Sequence, residues 1–148
     1  MPMSTTHFFI PYLLYDIFQQ YFSKRKSFFL AIIAGLAGAA PDMDFVLAII
    51  YENIGLHRLY THIYLVPILI FVAATLSYFI KKRNLALILT IISLGWASHV
   101  FLDNFTDPFK LNHFQYGYMD AFVLFVWICW ESFKRKVELK RFLVRLKS

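Results

Sequence analysis

Residues 63–80 read IYLVPILIFVAATLSYFI, an apolar run without a charged side chain. A helix of about 20 such residues crosses the hydrocarbon core of a bilayer, which is roughly 30 Å thick. Residues 85–102 form a second apolar run, in which His99 is the polar candidate for function. Of the 148 residues, 59% are hydrophobic and 20% aromatic, and the mean hydropathy is +0.58. These values exceed those of a typical soluble domain, so the sequence predicts a helical membrane protein.

Three further segments extend this pattern on both sides of the two runs. One covers residues 121–130, and another covers residues 28–40 and continues past an aspartate pair towards Ile50. The first segment, residues 8–22, is weaker because it contains a proline and polar side chains: Pro11, Asp16, Gln19 and Gln20. No repeat or Gly/Ser linker divides the chain. We expect one domain over residues 1–148, an all-α membrane-embedded bundle of about five helices, without a cleavable signal peptide.

The basic residues fall in three groups, at residues 24–26, 81–83 and 134–147, and only Arg58 and Lys110 lie elsewhere. If successive segments cross the bilayer, the three groups share one face, which the positive-inside bias assigns to the cytoplasm. Despite the net charge of +6, this placement argues against a nucleic-acid partner. It predicts an inner-membrane protein with a basic cytoplasmic tail at residues 134–148. That tail has the pattern of a helix lying on lipid headgroups or, alternatively, of a solvated helical end.

The same alternation places seven polar side chains at one level near the outer face: His7, Asp42, Asp44, His57, His62, His99 and Asp103. Imidazoles and carboxylates are costly to bury in a membrane unless they pair with each other or bind a metal ion. His99 and Asp103 are four residues apart and share a helix face, so they can bind one cation together. Taken alone, this pair is equally consistent with a hydrogen-bonded helical pair.

The aspartate pair follows Pro41 at the end of an Ala/Gly-rich stretch. If the backbone there is extended, Asp42 and Asp44 point to the same side, and one carboxylate can bridge two ions. The alternative is a helix end that meets water, where aspartate is common as a cap.

The third cluster contains His57, Arg58 and His62. The two histidines are five residues apart, about 140° on a helix, so both face one centre only if His57 lies in the preceding loop. Arg58 is placed to bind an anion such as phosphate, although a salt bridge is an equally good interpretation. His7 is the least constrained of the ligands, and His113 is interpreted as a loop histidine.

The order of these motifs along the chain resembles that of a known protein family. An early His7 is followed by Gly-x-x-x-x-x-Pro-Asp-x-Asp at residues 35–44, His-Arg-x-x-Thr-His at residues 57–62, and His-x-x-x-Asp at residues 99–103 before Asn-Phe-Thr. The set resembles the YdjM-like family of membrane-bound, metal-dependent hydrolases, itself similar to zinc-dependent phospholipase C. The resemblance implies a related helical fold and metal-ligand roles for all seven side chains.

The chain departs from the family pattern at Leu59 and Ile63, where the family usually has Gly and Ser. Phospholipase-like enzymes also carry a later His and Glu ligand pair, which nothing after Asp103 reproduces. We therefore expect one or two divalent ions rather than three, with zinc preferred because imidazole is well represented.

The leading hypothesis is a metal-dependent hydrolase that cleaves a phosphoester or a lipid-like ester. Asp44 would accept a proton, Arg58 would hold developing negative charge, and membrane lipid would supply a phospholipid-like substrate. The first alternative is a protein that binds or transports divalent metal without hydrolysis. The second is a structural membrane protein whose polar clusters only cap helices.

Overall fold

The computed structural model describes residues 4–22, 27–44, 49–51, 63–106 and 113–145. Five α-helices lie in these ranges, and none of the described residues forms a strand: α1 Ser4–Phe22, α2 Phe28–Ala39, α3 Leu65–Phe79, α4 Arg83–Thr106 and α5 His113–Arg145. A short 3-10 turn, Ala40–Met43, continues α2. The expected all-α bundle of about five helices is confirmed.

The helix α4 corresponds to the second apolar run. Within the described part of the chain it is the one helix that is long and apolar enough to cross a membrane. The run that begins at Ile63 yields a shorter helix, because α3 ends where Lys81 adopts a left-handed conformation with φ of 63°. There the N–H of Lys82 donates to Ser77 O and the N–H of Lys81 donates to Tyr78 O, as in a Schellman motif.

The last helix differs from the expected boundaries. The sequence predicts a span over residues 120–134 and a tail that is either a helix lying on lipid headgroups or a solvated helical end. In the structure, α5 runs without a break from His113 to Arg145. The residues between 134 and 145 include many good helix formers and no proline or glycine, so no helix breaker interrupts α5 there. His113 is the first residue of α5 rather than a loop residue.

The helix α2 packs against both α1 and α4, and its small residues permit this. A Cβ atom on Gly38 would lie 2.2 Å from the His7 carbonyl oxygen of α1. A Cβ atom on Gly95 of α4 would lie 2.7 Å from the Ala34 carbonyl oxygen of α2. Helix interfaces in membrane proteins use small residues in this way because they let backbones approach closely. The polar ends of α1 and α4 are thereby brought to the same place.

The remaining contacts complete the bundle. The helix α3 packs on α4, where the Ser93 hydroxyl donates to Pro67 O at 2.7 Å. Ser27 caps α2, and its backbone N–H donates to the Gln19 side chain of α1 at 2.7 Å. A buried apolar cluster joins α1, α2 and α5: Tyr12, Leu13 and Ala31, with Phe8, Tyr15, Ile32, Trp127 and Trp130 packed against it.

A polar network at the far end of α1 from His7 attaches α1 to α5. Asp16 is 2% exposed and accepts hydrogen bonds from Gln19 Nε2 at 2.8 Å, Trp130 Nε1 at 2.6 Å and Lys134 Nζ at 2.8 Å. Lys134 also contacts Glu131 Oε1 at 2.7 Å. The sequence suggested only that Asp16 weakens the first apolar segment, whereas the structure places a matching cation and donors around it.

Removing that cation is expected to destabilise the bundle. Lys134→Met leaves the Asp16 carboxylate buried without its counter-charge, and breaking a buried pair in this way costs about 3 kcal/mol of the free energy of unfolding. The double variant Asp16→Asn/Lys134→Met removes both charges and should recover much of the loss. Denaturant unfolding in detergent measures both variants. Equal stability of Lys134→Met and wild type would contradict the role of this ion pair.

Candidate metal centre

Four of the seven predicted ligands come together at one end of the bundle. His7 lies in the first turn of α1, Asp42 in the 3-10 turn after α2, and His99 and Asp103 in the last two turns of α4. His7 Nε2 lies 3.2 Å from Asp103 Oδ1, and the His7 and His99 ring centroids are 3.8 Å apart. His99 Nε2 lies 3.5 Å from Asp42 Oδ1 and 3.7 Å from Asp103 Oδ2.

Three of these four side chains are shielded from solvent. His99 is 0%, His7 1% and Asp103 5% exposed. One ligand atom from each of the three can be chosen so that all lie within 4.8 Å of one another. Zinc binds imidazole nitrogen and carboxylate oxygen at about 2.0–2.2 Å, so two ligand atoms of one ion lie at most about 4.4 Å apart. The distances from Asp103 to His7, 3.2 Å, and to His99, 3.7 Å, lie within this limit.

Backbone contacts orient His99 as a ligand would require. Its Nδ1 lies 2.8 Å from the Gly38 carbonyl oxygen, which can only accept a hydrogen bond, so Nδ1 carries the proton. In the neutral ring the Nε2 lone pair then faces the carboxylates of Asp42 and Asp103. Both distances exceed the usual N–H···O range of about 2.7–3.2 Å. A cation between these groups would relieve the repulsion between the lone pair and the two anions.

His7 offers a second indication. Its Nδ1 is buried and has no hydrogen-bond partner among the residues that the structure describes.

Pro11 has no N–H, so it cannot donate to the His7 carbonyl four residues earlier, and that carbonyl instead lies against Gly38 of α2. The proline that made the first segment look weak thus allows the close packing that brings His7 to His99.

The aspartate pair differs from expectation. The backbone is not extended: Asp42 lies in the 3-10 turn, and Asp44 caps it with φ of −64° and ψ of −21°. A helical backbone turns successive side chains through a large angle, so the two carboxylates do not share a side as they would on a strand. The Asp42 side chain contacts His99 and is 21% exposed, whereas Asp44 is 8% exposed and lies outside the group of His7, His99 and Asp103.

The other predicted site residues, His57, Arg58 and His62, lie outside the described residues. Two supporting residues escaped the sequence analysis. The Gly38 carbonyl orients His99, and Asp120 of α5 accepts hydrogen bonds from the Thr6 backbone at 3.1 Å and from the Thr6 hydroxyl. In the sequence, Asp120 stands out only as an acidic residue at the start of the last apolar segment. The prediction used it as the boundary of that segment and gave it no role in the site.

Comparison with known proteins gives one relationship. The family model described as YdjM inner membrane protein matches residues 1–119, which include His7, Asp42, Asp44, His99 and Asp103. No curated protein and no solved structure matches the chain. Because the family model covers most of the 148 residues, including the whole candidate centre, the chain belongs to the YdjM inner membrane protein family.

Proposed function

We propose that this protein is a membrane-bound, metal-dependent hydrolase that cleaves a phosphoester or a lipid-like ester. The observation that supports it most is the buried group of His7, His99 and Asp103, with ligand atoms close enough to share one cation. Mixed imidazole and carboxylate ligands favour zinc, and two imidazoles with a carboxylate are typical of catalytic zinc sites.

In this proposal the residues have distinct roles. His7, His99 and Asp103 hold the ion, and Asp42, which is partly exposed beside His99, completes the set at its open side. A bound divalent ion would lower the pKa of a water molecule to about 7 and polarise an ester oxygen. Asp44 would accept a proton, and Arg58, with His57 and His62, would come from the segment beyond α2 that the sequence motif assigns to the site.

The proposed orientation follows from charge. The basic groups at residues 81–83 and 134–147 would lie in the cytoplasm, because basic residues are enriched there. The first turn of α1 and the last turns of α4 would then lie near the outer face. A site at that level would take a phospholipid-like substrate from the surrounding membrane, and the resemblance of the motif set to a family similar to zinc-dependent phospholipase C implies the same substrate class.

Hydrolysis by the purified full-length protein tests this function. We expect turnover of phosphodiester or ester substrates that a chelator abolishes and zinc restores, since the proposed nucleophile depends on the ion. Asp44→Asn should keep its zinc and lose turnover, which separates proton transfer from metal binding. Turnover that resists the chelator and is unchanged in His62→Ala would falsify the proposal.

The burial of the centre favours a second candidate, metal binding or transport without hydrolysis. His7 and His99 are almost fully inaccessible, as in sites where an ion stabilises a fold or is carried rather than activating water. Stoichiometric zinc without turnover of any ester, combined with zinc flux into liposomes, would support this candidate. The capping alternative predicts that wild type carries no zinc.

A further inference from the structure

Asp120 lies on α5 and holds the helical turn that carries His7. Its Oδ1 accepts one hydrogen bond from the Thr6 backbone N–H at 3.1 Å and a second from the Thr6 hydroxyl. Thr6 directly precedes His7 in the chain, and Thr6, His7 and Asp120 are all buried. The contact therefore lies one residue from a proposed ligand and is shielded from water.

The Thr6 N–H is one of the first four of α1, which have no acceptor within their own helix. Aspartate usually satisfies such a group from the residue just before the helix. Here the carboxylate comes from another helix, 114 residues along the chain. The partial positive charge of a helix N-terminus also favours a carboxylate at this place. The first turn of α1 is thus capped and anchored by one side chain.

That anchor matters because helix ends fray. His7 is the fourth residue of α1, so it lies in the turn that would open first. Opening would move its ring away from His99 and Asp103, which lie on α4. The position of His7 therefore depends on the contact between Thr6 and Asp120, which lies outside the centre.

The contacts with Thr6 use only one of the two oxygens of the Asp120 carboxylate. Asp120 Oδ2 is buried and has no hydrogen-bond partner among the residues that the structure describes. A buried carboxylate with an unsatisfied oxygen is costly. This cost offsets part of the stabilisation from the Thr6 contacts, and holding the first turn of α1 in position is a second reason for a carboxylate at this point.

We propose that Asp120 is a positioning residue for the metal centre, which holds the first turn of α1 so that His7 faces His99 and Asp103. The inference rests on the proposed metal site and extends it to a residue that acts through Thr6. It predicts that metal affinity depends on Asp120 beyond any effect on the stability of the metal-free protein.

Zinc titration of the full-length protein in detergent, in competition with a chromophoric chelator, tests this inference. We expect Asp120→Ala to weaken zinc affinity about 10- to 100-fold, as replacing a residue that orients a metal ligand typically does. Asp120→Asn keeps an acceptor for Thr6 and should stay within about tenfold of wild type. The matched control is Tyr12→Phe, which removes another hydrogen bond between α1 and α5, from Tyr12 to Glu131 at 3.0 Å, and should leave affinity unchanged.

Thermal unfolding with and without zinc distinguishes positioning from a structural role. Positioning predicts that the zinc-dependent rise in Tm shrinks in Asp120→Ala, whereas Tyr12→Phe lowers both midpoints equally. If Asp120→Ala does not fold, Thr6→Val keeps the backbone N–H but lacks the hydroxyl, and it should weaken affinity in the same direction by a smaller factor. If wild type binds zinc and the variant that folds binds it with the same affinity, the inference about Asp120 is overturned but the proposed function is not. Absence of zinc binding in wild type would overturn both.

Discussion

Replacing His99 with alanine is expected to remove the metal from the purified protein. The His99 ring is fully buried, is oriented by the Gly38 carbonyl and faces both Asp42 and Asp103, so alanine removes one of the two imidazoles of the group and offers no donor in its place. Loss of a direct ligand should exceed the 10- to 100-fold loss in affinity typical of an orienting residue, so we expect more than about 100-fold. Elemental analysis beside wild type measures the change, and Asp42→Ala should show a smaller loss because Asp42 is partly exposed.

The same substitution should destabilise the fold without metal. It removes a fully buried ring and its hydrogen bond to the Gly38 carbonyl, and replacing a large buried side chain with alanine costs about 2–5 kcal/mol. Ser98→Ala is the matched control, because Ser98 lies next to His99 and its hydroxyl donates within α4, to Gly95 O at 2.7 Å. If His99→Ala contains nearly as much zinc as wild type, His99 is not a metal ligand.

Substitution of Gly38 is expected to lower both stability and zinc affinity, although Gly38 offers no ligand side chain. A Cβ atom there would lie 2.2 Å from His7 O and 2.4 Å from Pro11 Cγ, so Gly38→Ala must push α1 away from α2. Overpacking of this kind costs about 1–3 kcal/mol. The shift would move His7 and also disturb the Gly38 carbonyl that orients His99. We therefore expect at least about a tenfold loss of zinc affinity together with the loss of stability.

Gly117→Ala provides the control for this experiment. Gly117 also lies within a helix, α5, but a Cβ atom there would meet no heavy atom within 4 Å in the described structure. Alanine is favoured over glycine inside a helix by about 1 kcal/mol, so this variant should be as stable as wild type or more stable. Denaturant unfolding and zinc titration of both variants decide the matter, and equal behaviour of Gly38→Ala and Gly117→Ala would refute the close-packing explanation.

Much of the helical architecture follows from local patterns. Residues 85–102 predicted a span, and α4 covers Arg83–Thr106, because a long apolar run without a helix breaker determines one helix by itself. The pairing of His99 and Asp103 was predictable for the same reason, because two side chains four residues apart on a helix point to the same face. The prediction for Asp42 and Asp44 was wrong because it assumed an extended backbone, whereas the structure has a 3-10 turn there.

Other features of the centre depend on distant parts of the chain. Pro11 and Asp16 looked like defects in the first segment, because hydropathy counts each residue without its partner. In the folded protein Pro11 allows His7 to approach Gly38, and Asp16 is neutralised by Lys134, more than a hundred residues later. Asp120 gave no signal of its role for the same reason, since its partner Thr6 lies at the other end of the chain.

By itself, then, the sequence determined an apolar all-α chain, the apolar helix α4 and the imidazoles and carboxylates that can serve as ligands, because composition and spacing are local properties. Only the tertiary structure decided that His7 reaches His99 and Asp103. That contact requires α1 and α4 to approach α2 at positions without a Cβ atom, and it requires the first turn of α1 to be held by α5. Close approach between separate helices depends on how they pack, which no single segment of the sequence specifies.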